Sequence, residues 1–143
     1  MGSFSSWHWV ILIVLLAFPL VFLTIPVPVG PNRFGPTPQP MNFTEAVGSF
    51  FRNYVNFRDR ASRSEFWYAM LLNVVVSFAC AFLDPTQILR VIWSFATMLP
   101  LIAVTTRRLH DINRSGWYQL LASFAPIGTL MMILWWCLPP KDD

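Results

Sequence analysis

The sequence predicts an all-α fold, an integral membrane helical bundle with four transmembrane helices and one amphipathic interfacial helix. Hydrophobic residues make up 55% of the 143 residues and charged residues only 12%, about half the charge of a typical soluble domain. The basic residues flank the apolar runs, which argues against a nucleic-acid-binding domain with its charges on one soluble face. Four apolar runs approach the length of about 20 residues that crosses a bilayer: Trp7–Thr24, Ser64–Leu83, Ile88–Thr106 and Tyr118–Leu138.

The first run belongs to a predicted N-terminal transmembrane anchor, residues 1–25. Trp7–Thr24 carries no charge and, at about 18 residues, is just long enough to span the bilayer. A cleaved signal peptide is the alternative, but Met1–Ser6 has no Lys or Arg and Leu23–Pro26 is a poor cleavage site. We therefore favour a retained anchor. Residues 26–41 follow as a Pro/Gly-rich linker, through which neither a helix nor a strand can run.

An amphipathic helix is predicted from Asn42 to Phe57. Large apolar residues recur there at steps of three and four, the spacing of one helix face. Asn42 followed by Glu45 is the signature of a capping box at the start of a helix. The segment is too polar to span a bilayer, so we expect it to lie in the membrane interface. A short helix packed on the bundle would bury the same face and is the alternative.

Residues 42–138 form the predicted three-span membrane domain, followed by a short tail, residues 139–143. Asp84–Gln87 is a tight turn that makes the second and third runs an antiparallel hairpin, and Pro126 with Gly128 predicts a kink in the last run. Four spans would place eight of the ten basic residues on one side, which should be cytoplasmic, with both termini periplasmic. Those eight are Arg33, Arg52, Arg58, Arg60, Arg63, Arg107, Arg108 and Arg114, against Arg90 and Lys141 on the other side.

A polar cluster is predicted where the hairpin meets the cytoplasmic face, because ionisable groups at that depth are costly unless paired. We expect Arg63 or Arg108 to contact Glu65 or Asp111 across the base of the hairpin. The cluster is either a structural staple or a site for an anion such as a lipid head group. Its predicted members are Arg63, Glu65, Arg107, Arg108, His110, Asp111 and Arg114, closed by the loop residues Ser115, Gly116 and Trp117.

The motifs predict no enzyme, no cofactor and no metal site. His110, Asp111 and Ser115 include the residue types of a hydrolytic triad, but adjacent residues on a helix point to different sides. The sequence has no G-x-S-x-G, H-E-x-x-H or C-x-x-C motif, and Cys80 and Cys137 both lie in apolar runs. The expected partners are the lipid bilayer, including anionic phospholipid, and a homo-oligomer or another membrane protein, without nucleic acid.

Two short motifs resemble a bacterial family known as domain of unknown function 805, small inner-membrane proteins. They are Arg63–Trp67 and Arg107–Asp111, the second followed by Ser115–Trp117, and the resemblance covers about residues 41–138. It implies a membrane protein with no assigned chemistry and three spans, so Trp7–Thr24 looks like an addition. Members of the family commonly place a Gly-Pro-Asn-Arg-aromatic-Gly-Pro segment after the last span, whereas here Gly30–Pro36 precedes the domain.

The function most consistent with these features is that of an uncharacterised multi-pass inner-membrane protein acting as a non-enzymatic scaffold or partner-binding protein. The alternative is a small transport or lipid-handling protein that binds an anionic head group or metabolite at the polar cluster. Transporters usually carry charged residues at mid-depth, and the three family-like runs have none there.

Overall fold

The computed structural model describes residues 30–124 and 126–141. The regular secondary structure in this part of the chain is helical, apart from one isolated bridge between Asn32 and Gly35. The prediction of an all-α fold is confirmed, while the predicted anchor Trp7–Thr24 lies outside the described residues. The elements in order are α1 (Phe43–Arg52), α2 (Arg63–Leu83), α3 (Ile88–Asp111), a 3₁₀-helix (Gly116–Ser123) and α4 (Ile127–Cys137).

Helices α2 and α3 form the predicted antiparallel hairpin. They have 21 and 24 residues, and within the described ranges they are the helices long and apolar enough to cross a membrane. The turn between them is closed by Asp84, whose carboxylate accepts hydrogen bonds from the Thr86 hydroxyl and the Leu89 backbone N–H. These bonds, that of Thr86 first, hold the pKa of Asp84 below its usual value. We call this turn the tip, and the opposite end, where Arg63 and Asp111 lie, the base.

Helix α1 begins as predicted and ends early. The capping box is present, since the Asn42 side chain accepts from the Glu45 N–H and the Glu45 carboxylate accepts from the Asn42 N–H. The helix ends at Arg52, where the Asn53 side-chain amide donates a second hydrogen bond to the Ser49 carbonyl that already accepts the Asn53 backbone N–H. Its buried face packs on α2 and, through fewer contacts, on α3. The amphipathic segment is therefore packed on the hairpin, as in the alternative prediction.

Burial is concentrated at the base of the hairpin. A core cluster joins α1, α2 and α3 at that end, and it consists of Phe50, Ala61, Phe66, Ala69 and Val104. Only 11% of the most apolar stretch of α2 and 22% of that of α3 are buried within the protein. Toward the tip, Phe82 and Phe95 are 77% and 70% exposed. The hairpin thus extends away from a packed base, and most of its apolar surface toward the tip is not covered by the rest of the described chain.

The predicted fourth span is not one helix. The chain leaves the base as the 3₁₀-helix, reverses near Phe124, and returns as α4. At the reversal the Gly128 N–H donates to the Phe124 carbonyl at 2.8 Å. A Cβ on Gly128 would lie only 1.8 Å from the Leu121 carbonyl oxygen, so the two segments cross closely there. At the other end the rings of Tyr118 and Trp135 lie 5.5 Å apart, so the segments are antiparallel.

The last run therefore enters and leaves at the base. Each arm is about 16 Å long, roughly half the hydrocarbon thickness of a bilayer. The Lys141 N–H donates to the Asp111 carbonyl at 2.9 Å, so the chain returns to the end of α3. The prediction that this end of the chain lies opposite the polar cluster is wrong, because Pro126 and Gly128 reverse the chain instead of kinking it. Eight of the ten basic residues then lie at the base, Arg52 lies at the end of α1, and Arg90 lies near the tip.

We expect a cysteine at position 141 to behave like one at the base. In a variant without Cys80 and Cys137, an impermeant maleimide added to intact cells should label Thr86→Cys but neither Arg58→Cys nor Lys141→Cys. The reason is that Lys141 is hydrogen-bonded to Asp111, at the opposite end of the hairpin from Thr86. Permeabilised cells, in which all three should react, provide the control. If Lys141→Cys were labelled in intact cells together with Thr86→Cys, position 141 would lie on the same side as the tip. The prediction of a fourth span would then be correct.

Candidate functional site

Asp111 lies at the centre of the base and binds two arginines. Its Oδ1 is 3.0 Å from Arg60 Nε and 2.9 Å from Arg60 Nη2, and its Oδ2 accepts from Arg108 Nη1. The three side chains are at most 1% exposed. Arg108 also donates to the carbonyls of Trp136 and Leu138, so it fastens the returning α4 to α3. We call Arg60, Arg108 and Asp111 the Asp111 centre.

A second ion pair joins α2 to α3. Arg107 Nη1 donates to Glu65 Oε1 at 2.8 Å, and the Ser49 hydroxyl of α1 donates to the same oxygen at 2.7 Å. The pair across the hairpin is therefore Glu65–Arg107. Arg108 contacts Asp111, one of its two predicted partners, but this pair lies within α3 and does not cross the hairpin. Successive residues of a helix point about 100° apart. Arg107 consequently faces α2, while Arg108 faces α4 and pairs with Asp111 in its own helix.

Residues 30–36, which we call the strap, lie against this network. The Arg60 Nη1 group donates to the carbonyls of Gly30 and Gly35, each at 3.1 Å. The Asn32 amide donates to the carbonyls of His110 at 2.9 Å and Lys141 at 3.0 Å. The strap therefore contacts both the end of α3 and the last described residue. This part of the predicted linker is a docked element rather than a spacer.

His110 is held on two sides. The Phe34 ring of the strap stacks on its imidazole with centroids 3.8 Å apart and planes 2° from parallel. His110 Nδ1 lies 3.2 Å from the carbonyls of Arg58 and Asp59, so Nδ1 carries a proton and donates. Because Asp111 binds two arginines and His110 binds backbone carbonyls, the two side chains do not form the hydrogen-bonded pair of a hydrolytic triad.

The remaining predicted residues have separate positions. Arg63 is buried at the start of α2, whereas Arg114 stacks over the Trp135 ring at 4.1 Å, outside the network. The Ser115 hydroxyl accepts from the Trp117 N–H and caps the 3₁₀-helix. A Cβ on Gly116 would lie 2.4 Å from Thr106 Cγ2, so the loop depends on glycine for its close approach to α3. Trp117 is 79% exposed.

Sequence reasoning missed four residues of the site: Asn32, Phe34, Ser49 and Arg60. Arg60 belongs to the polar stretch before α2, but nothing in its spacing distinguishes it from the exposed Arg58. Asn32 and Phe34 belong to the Gly30–Pro36 segment, which the sequence marks only through the family resemblance. Among the residues that the structure describes, no group of His, Cys, Asp and Glu could hold a metal ion.

Comparison with known proteins gives a family match. The family model described as Protein of unknown function (DUF805) matches residues 54–143, which include both motifs that carried the resemblance. Inner membrane protein YhaH of Escherichia coli strain K12 is 39% identical over 95 residues, covering 60% of this chain and 78% of YhaH. Inner membrane protein YhaI of the same strain is 36% identical over 97 residues, covering 62% and 80%. No solved structure matches the chain.

Proposed function

We propose, from the premise that this chain belongs to the DUF805 family of proteins of unknown function, that it is a non-enzymatic scaffold of the bacterial inner membrane. In this proposal α2 and α3 cross the bilayer, the base lies on the cytoplasmic side, and the hairpin binds a transmembrane helix of a partner protein. The inner-membrane location is supported by the names of YhaH and YhaI. The orientation is supported by the eight basic residues at the base.

The observation that carries the proposal is a groove between α2 and α3. It has a volume of about 510 Å³ and is mainly apolar, with a few polar side chains along it, among them Asn73, Ser77, Ser94 and Thr97. Trp93 also lines this groove, and its indole N–H is buried without an acceptor among the described residues. In lipid an unpaired donor is costly, and small or polar residues are typical of helix contacts in membranes.

The base is suited to support such a groove. The Asp111 centre joins the strap, α3 and α4 through groups that are already bonded to one another. Its hydrogen-bonding groups bind one another and the backbone, so it favours a rigid platform over a reactive site. Neither α2 from Phe66 to Leu83 nor α3 from Val91 to Thr106 contains a charged residue, which favours a scaffold over a transporter.

Site-specific photo-crosslinking in cells tests this function. A photoreactive amino acid at Ser77 or Ser94 should form a crosslink to one discrete protein band, because both residues line the groove. Matched control positions are Val75 and Phe95, which are 56% and 70% exposed but do not line the groove. Equal crosslinking from groove and control positions, or lipid adducts alone from both, would rule out a partner in the groove. The mass of the band distinguishes a second copy from another protein.

A further inference from the structure

A cavity of about 480 Å³ opens at the base, between the end of α3, the start of the 3₁₀-helix and the residues that follow α4. Its volume is that of a small-ligand pocket, which is usually about 300–1,000 Å³. The lining includes two cations, Arg114 and Lys141, together with the ring of Tyr118 and the apolar side chain of Leu138. The described lining contains no Asp or Glu, so it carries two positive charges and no negative one.

The guanidinium of Arg114 is held by aromatic rings instead of by a carboxylate. Its Cζ atom lies 4.1 Å from the ring centroid of Trp135 and 5.7 Å from that of Tyr118. A cation–π contact uses the charge of the guanidinium and leaves its N–H donors available, which can bind two oxygens of a phosphate. These donors and the ammonium of Lys141 form no hydrogen bond or ion pair with the described residues. Both cations are therefore available to a ligand in the cavity.

An exposed leucine stripe leads along α4 into the cavity. Leu130, Leu134 and Leu138 follow one another at steps of four, the spacing of one helix face, and all three are exposed. Leu138, the last of them, also lines the cavity. The cavity is therefore the charged end of an apolar surface, and this combination fits an amphiphile better than a soluble anion.

We propose that this cavity binds the head group of an anionic phospholipid, with the phosphate on Arg114 and Lys141 and an acyl chain along the leucine stripe. The proposal rests on the proposed crossing of the bilayer by α2 and α3, which puts the base at the depth of the cytoplasmic head groups. A zwitterionic lipid would bring its own cation next to the two that line the cavity. Arg33 adds a third positive charge at the rim, where its Nη2 donates to the Asn113 carbonyl at 3.2 Å.

The test measures the binding of phosphatidylglycerol and phosphatidylcholine to the full-length protein in mild detergent, by native mass spectrometry during a lipid titration. Arg114→Gln with Lys141→Gln removes both cations of the cavity. The matched control, Arg52→Gln with Arg58→Gln, removes two exposed charges that do not line it. Soluble glycerol 3-phosphate is titrated separately, because it supplies the phosphate without the acyl chains.

We expect one phosphatidylglycerol per chain in the wild type and in the control, bound at least about tenfold more tightly than phosphatidylcholine. Arg114→Gln with Lys141→Gln should weaken its binding at least about tenfold, because charge-assisted hydrogen bonds to the phosphate are lost. Glycerol 3-phosphate should bind more weakly than phosphatidylglycerol. The proposal is overturned if the wild type retains no phosphatidylglycerol, if it binds both lipids equally, or if the control loses as much affinity as the cavity variant.

Two further outcomes decide the remaining cases. Glycerol 3-phosphate bound as tightly as phosphatidylglycerol would make the ligand a soluble anion and would overturn the lipid. Should the cavity variant fail to fold, Lys141→Gln alone replaces it, because this side chain is exposed, and an unchanged lipid affinity would overturn the proposal. Failure here is distinct from failure of the proposed function, which the crosslinks from Ser77 and Ser94 test in a different part of the protein.

Discussion

Replacing Asp111 by asparagine should lower the free energy of unfolding in detergent by about 3–5 kcal/mol, the usual cost of removing one partner from a buried ion pair. The side chain of Asp111 is fully buried, and both of its oxygens bind arginines. Asparagine keeps the shape but removes the charge. Arg60 and Arg108 would then remain buried without their shared anion.

The loss should extend beyond α3, because each arginine also holds a second segment. Arg60 binds the carbonyls of Gly30 and Gly35 in the strap, and Arg108 binds those of Trp136 and Leu138 at the end of α4. Thermal unfolding monitored by circular dichroism measures the stability. Limited proteolysis measures the release of the strap, and cleavage near residues 30–36 should become faster in Asp111→Asn than in the wild type.

Asp59→Asn is the matched control. Asp59 is exposed and lies close to the same base, so removing its charge should change the free energy of unfolding by less than about 1 kcal/mol. An Asp111→Asn protein as stable as Asp59→Asn would mean that the Asp111 centre does not hold the base together.

Local signals in the sequence predicted the local features of the fold. The uncharged runs after Glu65 and before Arg107 predicted α2 and α3, and Asp84–Gln87 predicted their turn. Asn42 and Glu45 predicted the start of α1, because a capping box needs only residues within one helical turn. The end of α1 was missed by five residues, because the apolar spacing continues past Arg52, where the helix ends.

The same local signals did not predict the contacts between distant parts of the chain. An apolar run of about 20 residues has the same composition whether it crosses a bilayer or folds back on itself, and Pro126 with Gly128 is compatible with a kink or a reversal. Composition also cannot tell which of two adjacent arginines faces which helix. The positions of Arg107 and Arg108 depend on the rotation of α3 about its axis, which is set by packing against α2 and α4. The strap was missed because Asn32 contacts residues 78 and 109 positions away.

The last prediction concerns which arginine pairs with Glu65. In a double-mutant cycle, Glu65→Gln and Arg107→Gln should each cost about 3–5 kcal/mol, since each leaves a buried partner unpaired. The double variant should lose clearly less than the sum, because the second change no longer breaks an existing pair. The contact that couples them is the 2.8 Å bond from Arg107 Nη1 to Glu65 Oε1.

A second cycle with Arg108→Gln separates this pairing from a general effect of charge at the base. Arg108 is as buried as Arg107, but its donors bind Asp111, Trp136 and Leu138. Glu65→Gln and Arg108→Gln should therefore add within about 0.5 kcal/mol, as for residues that share no partner. If Glu65 were coupled to Arg108 and additive with Arg107, then Arg108 rather than Arg107 would face α2, which would contradict the orientation of α3 in the structure. Coupling to Arg107 alone would establish Glu65–Arg107 as the link between α2 and α3, with Ser49 tying α1 to the same carboxylate.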